Sequence, residues 1–215
     1  MNNYLHCPPS YLNDPLLKAK YTERMRRHMA ADELIRGTGY KNGRGCAVGC
    51  TLNEYEHASF ETELGIPAEL AHLLDTLHEE TSDEIWPTYA LRFLEAIPVG
   101  ADLLPVVSRI NIFIQQQNIR RVEGIRNISE PLRDQVVSAI KQVVEALPTE
   151  SAAEAAEAAE AAWSAADSAW SAAEADSARS AWSAARSAAR SARSARSAFY
   201  DDVATELLRL LKAAR

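Results

Sequence analysis

Cys46 and Cys50 stand four residues apart beside Gly45 and Gly49, with His57 seven residues further on and Glu54 and Glu56 close by. Residues four apart on a helix share one face, so on helical spacing both thiols would project together. Four chemistries fit this pattern. Two thiolates and an imidazole are soft-metal ligands, and a zinc ion would take Cys46, Cys50 and His57 with a fourth donor from Cys7, His6 or His28. A second reading makes Cys46 or Cys50 a nucleophile, activated by His57 or by a helix N-terminus near Arg44. In a third, Arg36, Lys41 and Arg44, with no acid between Glu33 and Glu54, line an anion-binding nest of backbone amides. A Walker-type loop would need Gly-Lys-Ser/Thr, which is missing. In the fourth, Gly45, Cys46, Ala47, Gly49 and Cys50 form a small-residue face where two backbones meet, and the cysteines are buried as small apolar groups. Free cysteine is among the most often buried residue types, so packing leads: no catalytic residue and no cofactor is expected, with zinc as the alternative.

Other titratable residues carry less. His72 and His78 are six apart on an expected helix, point in different directions and cannot jointly hold a metal. The acids Glu79, Glu80, Asp83 and Glu84 lack the alternation and central Gly of a calcium loop. Trp86, Phe93, Leu94, Ile97, Leu103, Leu104, Val107, Ile110 and Phe113 recur at helical spacing and read as core.

The elements that must position these residues are helices. Asp14 and Pro15 have the types of an N-cap and a first helical position, opening a helix through Leu34 that Gly37 ends. The run Gly37 to Gly49 holds five of the eight glycines and reads as loop or tight turn. Further helices are expected near Glu54 to Leu64, Pro67 to Glu80, Trp86 to Ala96, Ala101 to Ile125 and Glu130 to Leu147, the last capped by Ser129. No run alternates apolar and polar residues long enough for a convincing strand, so the expected class is all-α.

From Ser151 to Ala198 nearly every residue is Ala, Ser, Arg, Trp, Glu or Asp, and neither Gly nor Pro follows Pro148. That composition predicts one long helix, either straight or bent into a hairpin near Glu174 to Arg179. The change in composition divides the chain into a compact multi-helix domain, residues 1–148, and an Ala-rich interaction or oligomerisation tail, residues 149–215. Acids (Glu154, Glu157, Glu160, Asp167, Glu174, Asp176) precede bases (Arg179, Arg186, Arg190, Arg193, Arg196), which suits the helix macrodipole and an antiparallel dimer with a second copy. Trp163, Trp170, Phe199, Leu207 and Leu210 share one sector of the helix, with Trp182 at its border, and are the expected interaction residues, able to dock on another tail or to pack back on residues 1–148 of the same chain.

A net charge of −7 argues against a dedicated nucleic-acid binder. Three cysteines, an odd number without framework spacing, suit a reducing, cytoplasmic location. The opening MNNYLHCPPSYLNDP lacks a basic segment followed by an apolar run, so export is not expected, and no run is long enough for a membrane span. The blocks GCAVGCT (Gly45 to Thr51), ETELGIP (Glu61 to Pro67) and FLEAIPVGADL (Phe93 to Leu103), followed by the Ala-rich Ser/Trp tail, resemble a group of uncharacterised bacterial and phage-encoded proteins. The resemblance implies a two-part layout and a mobile-element or host-interaction setting, and transfers no activity. The functional expectation is a non-enzymatic helical interaction or scaffold protein whose tail mediates self-association or partner docking. Its alternative is an anion- or metal-binding domain, or a cysteine-dependent enzyme, centred on Gly37 to Cys50 with His57.

Overall fold

The computed structural model describes residues 7–125, 130–146 and 182–215. Among them are eight α-helices and one two-residue-per-strand hairpin, so the class is all-α. No helix among the described residues is long and apolar enough to cross a membrane. The chain forms two compact units, Met1–Val107 with Ser197–Arg215, and Ser108–Arg196. This division differs from the one composition suggested, because the last turns of the tail belong with the N-terminal residues.

The first unit begins with a left-handed turn at Tyr11, Leu12 and Asn13, whose φ values are 51°, 51° and 61°. Such a conformation is uphill for L residues and persists where the surroundings impose it. Here Ser10 exchanges backbone hydrogen bonds with Gly100 and Ala101, and the buried Tyr11 hydroxyl donates to Leu94 O at 2.6 Å. Helix α1 (Pro15–Ala30) then opens on Asp14, whose side chain accepts from Leu16 N–H. It stops at Ala30 instead of reaching Leu34 because Asp32 turns left-handed, with φ 53°.

After a hairpin, β1 (Tyr40–Lys41) and β2 (Arg44–Gly45), come α2 (Ala47–Leu52), α3 (Ser59–Leu64), α4 (Ala68–Glu80) and α5 (Trp86–Ala96). α1 packs on α2 and α5, and α4 packs on the same two helices. Tyr21, Met25, Phe60, Leu64, Leu70, Leu74, Leu77, Tyr89, Phe93 and Leu94 make the core, each sealed from solvent. α6 (Leu104–Gly124) starts later than expected, where Asp102 Oδ1 accepts from Leu104 N–H at 3.0 Å.

The chain completes this core with its last helix, α8 (Trp182–Lys212). From Phe199 onward the helix is buried on most of its circumference, leaving a narrow exposed row of Asp202, Thr205, Arg209 and Lys212. Val203, Leu207 and Leu211 are at most 1% exposed, and each such side chain removed from water contributes about 1.5–3 kcal/mol. Directional contacts fix the placement: Asp201 Oδ1 accepts from Ser82 N–H at 2.9 Å, Tyr89 OH donates to Ala204 O at 3.3 Å, and Arg215 O accepts from Asp102 N–H at 2.9 Å.

In the second unit α6 is followed by α7 (Glu130–Ala146), and Val122, Val137 and Ile140 form a small cluster with Ile119 and Val136 against it. Arg133 donates to Ile125 O at 2.8 Å, satisfying a carbonyl just past the end of α6. Ser129, Trp163, Trp170 and the bend expected near Glu174 to Arg179 lie outside the described residues, and Trp182 is placed in α8 by its backbone alone.

Leu207→Ala should lower unfolding free energy by about 2–5 kcal/mol in urea titration. Leu16→Ala, at a position 77% exposed, should change it by less than about 0.5 kcal/mol.

Candidate functional site

The Gly-rich run folds because its residues allow an unusually close self-approach. Asn42 and Gly43, at φ 54° and 80°, make the two-residue turn that pairs Tyr40 with Gly45 and Lys41 with Arg44. A Cβ on Gly45 would meet Gly39 O at 2.2 Å and one on Gly49 would meet it at 2.0 Å, so the Gly39 backbone lies directly on the start of α2. Cys46 N–H donates to Thr38 O at 2.8 Å and to Gly39 O at 3.0 Å.

Cys46 is the N-cap of α2, its Sγ accepting from Gly49 N–H at 3.5 Å. The Cys50 thiol donates to Gly45 O at 3.3 Å and Glu33 O at 3.6 Å. The two thiols therefore have separate partners, and among the described residues no hydrogen bond joins either to His57. Burial, and then the adjacent Asp75 carboxylate, push the Cys46 pKa up to about 12. Burial pushes Cys50 up to about 11. Both are protonated thiols at neutral pH, the opposite of what a resting thiolate nucleophile needs.

His57 is instead gathered with residues that the spacing argument did not select. Asn53, left-handed at φ 65°, ends α2 and opens a loop that carries Tyr55 and His57 toward α4. The Tyr55 ring lies where a side chain on Gly39 would sit. Tyr55 OH donates to Asp75 Oδ2 at 2.7 Å, and His57 Nε2 meets the same oxygen at 3.3 Å. A carboxylate oxygen accepts, so Nε2 carries the proton of this contact. The His57 ring stacks on His72 with centroids 4.0 Å apart and planes 9° from parallel, and Tyr55 meets it edge-on at 5.0 Å. The Asp75 hydrogen bond, followed by burial, pushes Tyr55 up to about 12.

Asp75 was therefore the missed residue, and its signal was simple. It follows His72 by three positions on α4, which puts both on one face. This arrangement orients an imidazole through a carboxylate, the pattern that holds a general base or a metal-ligating histidine in one tautomer. No protein-family model matches the chain, and no curated protein or solved structure shows significant similarity to it. Its chemistry is read from these side chains alone. Among the described residues no three His, Cys, Asp or Glu side chains are arranged to hold a metal ion.

The three cations of the anion reading have distinct settings. Arg36 closes the end of α4, donating from Nε to His78 O at 2.8 Å, to Thr81 O and to Asp83 Oδ1 at 3.3 Å, with its guanidinium 4.8 Å from the Trp86 ring. Arg44 donates to Asp32 O at 3.0 Å from the exposed hairpin, where Lys41 is its cross-strand neighbour. Gly37 N–H, an amide a nest would aim at an anion, donates to both oxygens of Glu79 at 2.9 Å.

His78 is sealed from solvent, with Nε2 donating to Ile35 O at 3.0 Å and Trp86 edge-on at 5.5 Å. Burial lowers its pKa. The unfolded chain consequently takes a proton at this residue, near pH 6.5, that the folded protein resists. His78 contributes full stability above that pH and loses it progressively below, so unfolding free energy should fall on acidification and fall less steeply in His78→Gln. Thiol titration at pH 8 with an aromatic disulfide reagent should leave Cys46 and Cys50 unmodified in the native protein and label both after denaturation.

Proposed function

We propose that this chain is a non-enzymatic helical interaction protein that self-associates through its Ala-rich segment, the last turns of which are built into the N-terminal unit. The proposal is supported by the segment's sequence, in which acids precede bases and Trp163 and Trp170 supply large apolar groups, whereas Phe199, Leu207 and Leu210, at 7%, 0% and 4% exposure, are buried within the chain's own first unit. Docking of these three residues on the chain's own helical domain is one of the two arrangements the apolar stripe allowed. These residues anchor the helix in its own chain, and the proposal assigns association to Trp163, Trp170 and Trp182 by residue type. The buried, protonated thiols of Cys46 and Cys50 support a non-enzymatic reading of the Gly-rich run. Three free cysteines support a reducing, cytoplasmic setting.

A second reading is favoured by the carboxylate that fixes His57: a ligand-binding or acid–base site at Tyr55, His57, His72 and Asp75. Calorimetric titration with zinc separates its metal version, because binding abolished by His57→Ala supports that version and an absence of binding removes it.

For the leading reading, light scattering on the full chain at micromolar concentration should give at least twice the chain mass. Replacing Trp163 and Trp170 with Ala should weaken association by about tenfold or more, since aromatic anchors carry most of an interface's energy. A wild-type chain that stays monomeric contradicts the proposal.

A further inference from the structure

We infer that the exposed face of α1 is a docking surface for the acidic part of the Ala-rich segment, residues 163–174, of a second copy of this chain. The inference rests on the self-association proposed above and names the surfaces that perform it. α1 buries Tyr21, Thr22, Met25 and His28, and turns the opposite face to solvent. Leu16, Lys20, Glu23 and Arg27 line that face at i, i+4, i+7 and i+11, all exposed.

Three of the four exposed large hydrophobic residues among those described are Leu16 at 77%, the first residue of this face, Leu12 at 43%, in the turn before the helix, and Val99 at 37%. Lys18 Nζ donates to Ile97 O at 2.6 Å, and Asn13 Oδ1 lies where a Cβ on Gly100 would be, which brings the segment carrying Val99 to the same end of the helix. Further along, Arg26 pairs with Glu95 at 2.6 Å and Glu23 at 3.5 Å. Lys20 and Arg27 have no carboxylate partner among the described residues. The face is an apolar residue followed by two cations, Lys20, whose Nζ lies 4.8 Å from the Tyr21 ring centroid, and Arg27, with Glu23 between them.

The acidic part of the Ala-rich segment carries the complement at the same spacing. Trp163, Asp167, Trp170 and Glu174 stand at i, i+4, i+7 and i+11. Laid parallel to α1, a helix of that spacing puts Trp163 at Leu16, Asp167 at Lys20 and Glu174 at Arg27, with Trp170 at the level of Glu23 and Arg26. The intervening Ala and Ser residues let two helix axes approach closely. The basic half of the segment offers no such match: Arg190, Arg193 and Arg196 step by three and drift around a helix, and their charge has the same sign as Lys20 and Arg27. A two-fold axis makes the contact reciprocal, so each copy supplies one α1 face and one acidic segment.

Sedimentation velocity on the full chain tests this by charge exchange, with circular dichroism confirming that each variant keeps its helix content. Lys20→Glu with Arg27→Glu, or Asp167→Lys with Glu174→Lys, should each weaken dimerisation by about tenfold or more, because every swap turns attraction into repulsion at both symmetric contacts. All four substitutions together should bring the dimer back to within about threefold of wild type. If either double variant dimerises like wild type, or the quadruple variant fails to recover, the docking surface is wrong while self-association stands. A monomeric wild-type chain overturns both.

Discussion

Leu207 and Leu211, fully sealed from water, close the core that Tyr89, Phe93 and Leu94 begin on the other side of a long stretch of chain. The first unit is complete only when residues 197–215 return to residues 1–107. Because loop-closure entropy grows only with the logarithm of the intervening length, the chain can place many residues between these two parts at modest cost. The apolar face from Phe199 to Leu211 is wide enough that its burial outweighs that cost. Asp201, Ala204 and Arg215 hold these last residues by hydrogen bonds to the rest of the unit.

A second constraint operates around α2. Gly39 lies on Gly45 and Gly49 at a separation no side chain would survive, and this contact sets where Cys46, Tyr55 and His57 end up. Cysteine suits the cap of so crowded a helix because its sulfur accepts a hydrogen bond while filling an apolar space. The same burial that seats the thiols removes their reactivity. The imidazole of His57, carried on the loop after α2 and mostly buried, meets Asp75 through Nε2. The segment with the strongest chemical signature in the sequence is thus held together by packing, and the carboxylate that orients His57 comes from the neighbouring helix face.

Much of the helical layout was legible before any coordinates. α5 spans the expected Trp86 to Ala96, and α4 and α7 fall within a residue of their expected limits, because these segments combine a clear apolar period with proline or acid at the start. The hairpin was missed because strands of two residues are too short to show alternation, although Asn42 and Gly43 are the pair such a turn requires. The helix expected from Glu54 begins at Ser59, since Asn53 adopts a left-handed conformation that no local pattern announced. The site was partly legible. His57 was singled out, but with the cysteines nearest in sequence, whereas tertiary packing joined it to His72 and Asp75. The tail's apolar stripe was visible too; its second row of Tyr200, Ala204 and Leu208 widened it into a buried helix.

The first unit depends most on the last turns of the long helix being part of its core. Amide hydrogen exchange measured on peptides spanning Val203 to Leu211 tests this most directly. Protection equal to that of α5, lost only on global unfolding, is the predicted result. Exchange at the rate of an unprotected chain, with α5 still protected, would contradict it.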